Sequence, residues 1–178
     1  MKRQVDVTCG AVAENGVCSG FTAVAHRDKA NIISFRGTKN VPQLLAEIDA
    51  AGEKVKWIAG GFVSKYFNDG FMGLWTAGMK EDFRALRVKY PEYELWVTGH
   101  SLGGAMASLA ASYIIAEEGV PSTSVKMVTF GQPRVGDYQY AKVHDTQIAY
   151  SFRVTHWRDM VPHLPPKFFM GYYHHESE

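Results

Sequence analysis

Near the middle of this 178-residue chain lies the sequence Val97-Thr98-Gly99-His100-Ser101-Leu102-Gly103-Gly104-Ala105. It contains the pentapeptide G-x-S-x-G, centred on Ser101. The residues before it, Tyr93 to Val97, are rich in aromatic and apolar side chains, which is typical of a buried strand. The residues after it, Gly104 to Glu118, are rich in alanine with interleaved leucine and isoleucine, which is typical of a packed helix. Strand, sharp turn and helix together predict a nucleophile elbow.

The elbow gives Ser101 a chemical advantage that an ordinary surface serine lacks. The turn forces strained backbone angles on the serine, and the glycines on either side relieve the crowding because they have no Cβ. The serine oxygen then lies at the carboxyl end of a strand and at the N-terminus of a helix, where N–H groups stabilise a developing oxyanion. We therefore expect Ser101 to be a nucleophile. The competing interpretation is a glycine-rich turn in another kind of α/β protein.

Length and composition restrict the class of protein. A chain of 178 residues, 46% hydrophobic and 21% charged, fits one domain, and we predict a single domain over residues 1–178. The net charge of +1 gives no electrostatic reason for binding nucleic acid. No apolar run reaches the roughly 18 residues that a transmembrane helix needs. Met1 to Asp6 has no apolar core and is not a signal peptide, so we expect an intracellular protein, a mature form or a fragment without its leader.

Two cysteines, Cys9 and Cys18, lie near the start of the chain. The residues between them include Gly10, Asn15 and Gly16, which suit a turn, so a disulfide that would indicate secretion is one interpretation. Two unpaired buried thiols are the other. No metal-ligand spacing accompanies them, and we expect no cofactor and no metal.

The first half of the chain predicts a hairpin followed by less regular elements. Its expected elements are strands at Phe21–Ala25 and Asn31–Phe35, a short amphipathic helix from Pro42 to Ala51, strand fragments and loop over Val55–Trp75, and a helix carrying Met79, Phe83, Leu86 and Tyr90 that ends before Pro91.

The second half alternates strands and helices. After the elbow come a strand at Val125–Phe130, a loop over 131–137, a polar helix over about 137–148 and a last strand at Ser151–Thr155. This alternation predicts an α/β fold with a mainly parallel sheet. Loops at the carboxyl ends of parallel strands carry the chemistry in such folds, and three of these loops begin near Thr98, Phe130 and Thr155.

A serine nucleophile needs a base, and the base needs an acid that orients it. In proteins with this elbow the chain order is serine, acid, histidine, and the acid follows a later strand. Asp159 fits that position. Asp137 is the alternative, although it also lies where a helix N-cap is expected, which is a sufficient structural reason for an aspartate there.

Four motifs follow one another in this sequence: Phe35-Arg36-Gly37-Thr38, Gly99-His100-Ser101-Leu102-Gly103-Gly104-Ala105, Phe130-Gly131-Gln132-Pro133-Arg134-Val135-Gly136-Asp137 and Asp159-Met160-Val161-Pro162-His163-Leu164-Pro165-Pro166. Together they resemble the class 3 (fungal-type) lipases of the α/β-hydrolase superfamily, and especially the nematode members. The resemblance runs from about Cys18 to the end of the chain. It implies an α/β-hydrolase fold, with a mainly parallel central sheet flanked by helices, that is incomplete at the C-terminus.

The resemblance also implies an activity and a site. It implies hydrolysis of triacylglycerol or related esters at a lipid–water interface, by a secreted protein with no nucleic-acid partner. Ser101 would be the nucleophile and Asp159 the acid. Thr38 and Leu102 would form the oxyanion hole, and the segment 39–51 would be a lid over the serine.

The base is where this sequence departs from the family. Seven histidines are present, but the resemblance places the base in a later Asp-His motif that the chain does not reach. His144 is expected on a polar helix face, and His163 matches a family residue that is not the base. A substitute, His174 or His175 on a free tail, is the alternative. We therefore expect the isolated chain to be a lipase domain with little or no activity.

Two further functions stay open on sequence alone. One is a non-catalytic lipid-binding or interaction module that keeps the fold, and the other is an esterase for non-lipid esters. Residues of the acyl pocket and the lid would separate these functions, and the sequence does not identify those residues. A smaller departure, Ala59-Gly60-Gly61-Phe62, lacks a histidine that many family members carry before the Gly-Phe, and we expect it to affect packing.

Overall fold

A six-stranded mixed sheet forms the centre of the protein. The computed structural model describes residues 2–9, 16–38 and 53–176. The strands are β1 (Arg3–Thr8), β2 (Val17–Ala25), β3 (Ala30–Phe35), β4 (Lys54–Lys56), β5 (Phe62–Ser64), β6 (Glu94–His100), β7 (Val125–Phe130) and β8 (Tyr150–Val154). Six of them lie in the order β1-β2-β3-β6-β7-β8, and β4 and β5 form a small separate sheet.

The parallel half of the sheet brings the chemistry-bearing loops together. β1, β2 and β3 are antiparallel neighbours, and β3, β6, β7 and β8 are parallel. In register, Phe35 pairs with Gly99, His100 with Phe130, and Phe130 with Val154. The loops after these four strands therefore begin along one edge of the sheet, as the alternating pattern predicts.

Helices flank the sheet. They are α1 (Lys65–Leu74), continued by a π-helical segment (Trp75–Met79), then α2 (Lys80–Lys89), α3 (Leu102–Glu117), α4 (Tyr138–Gln147) and α5 (Lys167–Met170), with 3₁₀ turns at Ser122–Ser124 and Val161–His163. Every residue from Leu102 to Ser112 is buried, so the first three turns of α3 run through the core. None of the described helices is long and apolar enough to cross a membrane.

Most predicted elements are confirmed. The hairpin, the helix that ends before Pro91, the elbow strand and helix, and the last two strands are all present. The structure adds β1, for which the sequence analysis has no strand. The predicted helix Pro42–Ala51 and the lid 39–51 lie outside the described residues.

The segment Val55–Trp75 is predicted incorrectly in its second half. Instead of loop and strand fragments, Lys65–Leu74 is the helix α1, and its buried Phe67, Phe71 and Leu74 are spaced by one helical turn. The glycines of this segment obscured that spacing. Gly70 lies at a tight packing position, because a Cβ there would lie 3.2 Å from both Cys18 Sγ and Met106 Sδ.

The two cysteines form a disulfide, so the first of the two interpretations is correct. Cys9 follows β1 and Cys18 lies in β2, and these strands are antiparallel neighbours. The disulfide closes a short loop at the outer end of the sheet, far along the chain from the elbow.

Candidate active site

The nucleophile elbow is formed as the sequence predicts. Ser101 lies between β6 and α3 with φ 55° and ψ −123°, a conformation that non-glycine residues adopt only when the surrounding structure enforces it. The surrounding hydrogen bonds do so. The Ser101 N–H donates to the carbonyl of Phe130 at 2.9 Å, and the Ser101 carbonyl accepts from the N–H groups of Gly104 and Ala105. The side chain is 1% exposed.

The glycines around the serine allow three elements to approach. A Cβ on Gly103 would collide with the backbone of Phe35 and Arg36 at the end of β3. A Cβ on Gly99 would collide with the backbone of Gly103 and Gly104. The first turn of α3 therefore touches β3 and β6 backbone to backbone, which explains why the motif needs glycine at these positions.

One predicted oxyanion residue, Leu102, directly follows Ser101, and the other, Thr38, lies on the loop after β3. Leu102 is the first residue of α3, so its N–H has no carbonyl one turn earlier to bind. Thr38 follows Gly37, and a Cβ on Gly37 would lie only 2.6 Å from the His100 carbonyl oxygen and 3.2 Å from His100 Nδ1. The loop that carries Thr38 is thus packed against the elbow. The role of both residues as oxyanion donors remains a prediction.

Asp159 lies beside the loop that supports the serine. Its Oδ1 accepts a hydrogen bond from the Val161 N–H at 2.9 Å, and its own N–H donates to the His156 carbonyl at 2.8 Å. Its Oδ2 is 2.7 Å from the position of a Cβ on Gly131, a residue with φ 53°. Gly131 directly follows Phe130, whose carbonyl accepts from the Ser101 N–H, so the predicted acid lies beside the segment that supports the predicted nucleophile.

Asp137, the alternative acid, has a structural function. It is the N-cap of α4, and its Oδ1 accepts from the Tyr140 N–H at 2.8 Å and from the Phe62 N–H at 3.1 Å. This is the N-cap expected from the sequence.

Among the described residues, no histidine is hydrogen-bonded to the predicted nucleophile. Ser101 Oγ has no hydrogen-bond partner in the described part of the chain. Several histidines are engaged elsewhere: His26 Nδ1 lies 3.3 Å from the Tyr93 hydroxyl, His174 Nε2 lies 2.6 Å from the Pro162 carbonyl, and His175 Nε2 lies 2.9 Å from Gln132 Nε2.

Two expectations about histidines are wrong. His144 is not on a polar helix face but fully buried, and His175 is not on a free tail but only 2% exposed. Burial, with a smaller contribution from the Arg153 guanidinium, lowers the pKa of His144 to about 3. Burial also holds the pKa of His175 well below its ordinary value. Both rings are therefore neutral at physiological pH.

Gln132 is a buried residue of the site that the sequence analysis does not assign to any role. Its side chain is fully buried and binds both Thr129 and His175. The residue was visible in the motif that begins at Phe130, but a side-chain amide gives no indication of burial until its partners are known.

A cavity of about 310 Å³ opens beside Asp159. Its lining combines one carboxylate with one arginine, three histidines and an exposed indole: Arg134, Thr155, His156, Trp157, Asp159, Pro162, His163 and His174. Burial lowers the pKa of Arg134, whose Nη1 donates to the carbonyl of Pro165 at 2.9 Å. The cavity is polar and large enough to hold an imidazole-sized group next to the acid.

Known proteins resemble this chain in sequence. The family model described as lipase (class 3) matches residues 32–169. A lipase of Caenorhabditis elegans is 39% identical over 149 residues, which cover 83% of this chain and 41% of the relative. A secreted mono- and diacylglycerol lipase of Fusarium solani is 34% identical over 169 residues, which cover 92% of this chain and 48% of the relative.

The likeness extends to solved structures. A triacylglycerol lipase whose catalytic centre is described as a serine protease triad superposes with a TM-score of 0.80 at 30% identity, covering 96% of this chain and 64% of that one. The chain spans about half the length of the curated relatives it matches.

Proposed function

The chain belongs to the class 3 lipase family and has the α/β-hydrolase fold, and from this premise we propose that the protein hydrolyses carboxylic esters of lipids through an acyl-enzyme on Ser101. The backbone of Ser101 supports this proposal most strongly. Ser101 lies between a parallel strand and the N-terminus of a buried helix, and its φ is 55°. In a nucleophile elbow this conformation directs the serine oxygen away from the strand and toward the N–H donors at the start of the helix.

The reaction is a two-step acyl transfer. A base takes the proton of Ser101 Oγ, the oxygen attacks the ester carbonyl carbon, and the carbonyl oxygen becomes an oxyanion. The N–H groups of Leu102 and Thr38 bind the oxyanion. Loss of one donor of this kind lowers the rate by about 10²–10³. The intermediate then expels the alcohol, which takes the proton from the base. Water attacks the acyl-enzyme by the same route, which releases the fatty acid and frees the serine.

Asp159 is the residue that would orient and stabilise the base. The solved relative with a serine protease triad supports a histidine in the base role. In this chain the cavity beside Asp159 has the size and polarity for an imidazole. An imidazole there would have the carboxylate next to it, which favours the imidazolium that forms during the reaction.

We propose that the substrates are lipid esters at a lipid–water interface and that the protein is secreted. The matched relatives include a secreted mono- and diacylglycerol lipase, which supports a lipid ester as substrate and secretion. The Cys9–Cys18 disulfide independently favours an oxidising compartment. Ser101 is buried, so substrate must reach it through a change in what covers it. The extent of the domain, 1–178, and the lid at 39–51 remain predictions.

A second candidate, a non-catalytic lipid-binding module, has one observation in its favour. Ser101 Oγ lacks a hydrogen-bond partner among the described residues, and a serine without a base is a weak nucleophile. A binding module would retain lipid affinity without any turnover.

Fatty-acid release from an emulsified triacylglycerol separates the two candidates. The full chain and Ser101→Ala would be assayed at pH 8, each with and without added imidazole, and vesicle binding would be measured on the same samples. We expect release that depends on Ser101 and increases with imidazole, because imidazole is a general base that can take the proton of the serine hydroxyl. Equal vesicle binding by both proteins with no release under any condition would support the binding module instead.

A further inference from the structure

A pair of buried histidines lies next to the active-site loops without belonging to the proposed triad. His144, in α4, and His175, in the C-terminal segment Tyr172–Glu176, stack with ring centroids 3.8 Å apart and planes inclined by 15°. Both are buried, and neither ring nitrogen of His144 has a hydrogen-bond partner in the described part of the chain. A buried imidazole with no partner is stable only as the neutral form.

The hydrogen bonds of Gln132 fit the neutral form of His175 as well. The Thr129 hydroxyl donates to Gln132 Oε1 at 2.7 Å, which turns the Gln132 amide nitrogen toward His175 Nε2 at 2.9 Å. In this arrangement the amide nitrogen is a donor only, so Nε2 of His175 accepts its hydrogen and carries no proton. A proton on Nε2 would require the Gln132 amide to turn over and exchange its contacts with Thr129 and His175.

The cationic groups around the pair also oppose protonation, whereas one carboxylate favours it. From β8, Arg153 is 5% exposed and its Nε donates to the His175 carbonyl at 3.1 Å. From the C-terminal segment, His174 adds to the unfavourable potential at His175, and the Glu176 carbonyl, 3.4 Å from Nδ1, opposes it weakly. From α4, the Asp145 carboxylate lies within 4.8 Å of a ring nitrogen of each histidine and favours protonation, although it also accepts a hydrogen bond from the Glu176 N–H at 2.7 Å. Tyr140, whose ring lies 5.8 Å from that of His144, has its hydroxyl on Ser108.

The same arrangement argues against a metal ion. Ligand atoms of His144, Asp145 and His175 do lie within 4.8 Å of one another. Stacked, nearly parallel rings, however, direct their nitrogen lone pairs within two separate planes, and one ion cannot lie in both. The guanidinium of Arg153 adds a positive charge where an ion would need negative ones.

The pair is connected to the nucleophile through Gln132. A Cβ on Gly104, in the first turn of α3, would lie 3.1 Å from Gln132 Cβ, so the buried glutamine packs directly on the elbow helix. The residue before it, Gly131, contacts Asp159. The segment that carries His175 is fastened at its other end, where the Tyr173 N–H donates to the Gly136 carbonyl at 2.8 Å.

We propose that His144 and His175 are positioning residues: as a neutral stacked pair they hold Gln132 against the first turn of the elbow helix and fasten Tyr172–Glu176 to the sheet, and protonation of the pair releases both. The effect on Ser101 rests on the proposed function, whereas the release of the segment does not. The protein would thus lose its organised site in acid before the rest of the fold is lost.

The test uses the full chain and three variants. His144→Phe keeps a flat ring for stacking and removes a group that can be protonated, so it serves as the matched control. His175→Phe removes the acceptor of Gln132, and His175→Gln restores an acceptor oxygen near the position of Nε2. The first readout is amide hydrogen exchange at Tyr173 and Glu176, corrected for intrinsic rates, at pH 7.5 and pH 4.5. The second is the rate at which a fluorophosphonate modifies Ser101, with imidazole present at pH 8.

The proposal predicts a specific pattern. In the wild type the two amides lose protection between pH 7.5 and 4.5, and in His144→Phe this loss moves to lower pH. At pH 8, His175→Phe slows modification of Ser101 by about 5- to 30-fold, the effect of 1–2 kcal/mol, whereas His144→Phe and His175→Gln stay within about threefold of wild type.

Three results would overturn the proposal. The first is amide protection that is equally acid-sensitive in wild type and His144→Phe. The second is a rate of Ser101 modification in His175→Gln that is no higher than in His175→Phe. The third is stoichiometric Zn²⁺ binding that His144→Phe abolishes. Failure of the proposed function looks different, because Ser101 would then resist modification in every protein while the exchange pattern of the pair persists.

Discussion

At the scale of single residues, the site is a set of close approaches that only glycine permits. Gly103 illustrates this, because its missing Cβ lets α3 touch the carbonyl of Phe35. The sequence predicts these positions well, since the G-x-S-x-G pattern specifies strand, turn and helix together. The buried histidines could not be predicted in the same way. His144 lies among polar residues of α4, and its burial depends on the segment that carries His175 folding back over it.

Replacing Gly103 with alanine tests the close approach. The new Cβ collides with backbone, which cannot move aside, so we expect a loss of at least about 2 kcal/mol in the free energy of unfolding and no modification of Ser101. Gly119→Ala is the matched control: its φ is 63°, but nothing lies within 4 Å, and only the backbone conformation is strained, by about 1 kcal/mol. Urea unfolding measures both. Equal losses would show that the tight elbow contact does not matter.

A second pair of variants tests whether Asp159 or Asp137 is the acid that acts with Ser101. Asp159→Asn removes the charge next to Gly131, and we expect it to slow modification of Ser101 by about 10- to 100-fold, as loss of a charged hydrogen-bonding partner does. Asp137→Ala removes the N-cap of α4 and costs about 1 kcal/mol of stability, with modification unchanged. We would measure the rate of fluorophosphonate labelling and the urea midpoint of each variant. If only Asp137→Ala slows labelling, Asp137 and not Asp159 is the acid.

At the scale of elements, the parallel strands set the position of the site. β3, β6, β7 and β8 end in register, so Thr38, Ser101, Gly131 and the loop to Asp159 begin along one edge. Alternating strand and helix patterns are enough to predict this edge. The helix α1 was missed because its glycines interrupt the apolar spacing, although the apolar residues themselves follow a helical period.

The two glycines of α1 have opposite predicted effects. Gly70 faces Cys18 and Met106 at 3.2 Å, so Gly70→Leu overpacks the core and we expect it to destabilise the protein by about 1–3 kcal/mol. Gly73 meets only Val7 Cγ2, at the ordinary distance of 3.4 Å, so Gly73→Ala is expected to stabilise the protein by about 0.5–1 kcal/mol through helix propensity. Thermal unfolding of both variants checks the sign. A stabilising Gly70→Leu would contradict the packing of α1 on β2.

At the scale of the whole molecule, the fold combines a sheet that the sequence predicts with contacts that only tertiary structure creates. The disulfide fastens the outer strands, and the stacked histidines fasten the C-terminal segment. Family resemblance identified the nucleophile, the acid and the oxyanion residues as candidates. It assigned no role to Gln132 or to the histidine pair, because these residues act through contacts rather than through a catalytic motif.

Stability should depend on pH in a defined window. The pKa of His144 is about 3 in the folded protein and about 6.5 in the unfolded chain, so the unfolded state binds the proton more tightly. The free energy of unfolding is therefore largest above about pH 6.5 and falls as the pH decreases toward 3, by up to about 1.4 kcal/mol per pH unit for this group. Urea unfolding at pH 7.5, 6 and 5 should show a steeper fall for wild type than for His144→Phe. Parallel pH profiles would refute the neutral buried pair.

Intact-mass analysis after incubation with a fluorophosphonate shows whether Ser101 is the nucleophile of a serine hydrolase site. Wild type and Ser101→Ala would be compared with and without imidazole. We expect one phosphonyl adduct per chain on wild type, formed faster when imidazole is supplied, and none on Ser101→Ala. A folded wild type that gains no adduct even with imidazole, or an adduct of equal yield on Ser101→Ala, would show that Ser101 is not this nucleophile.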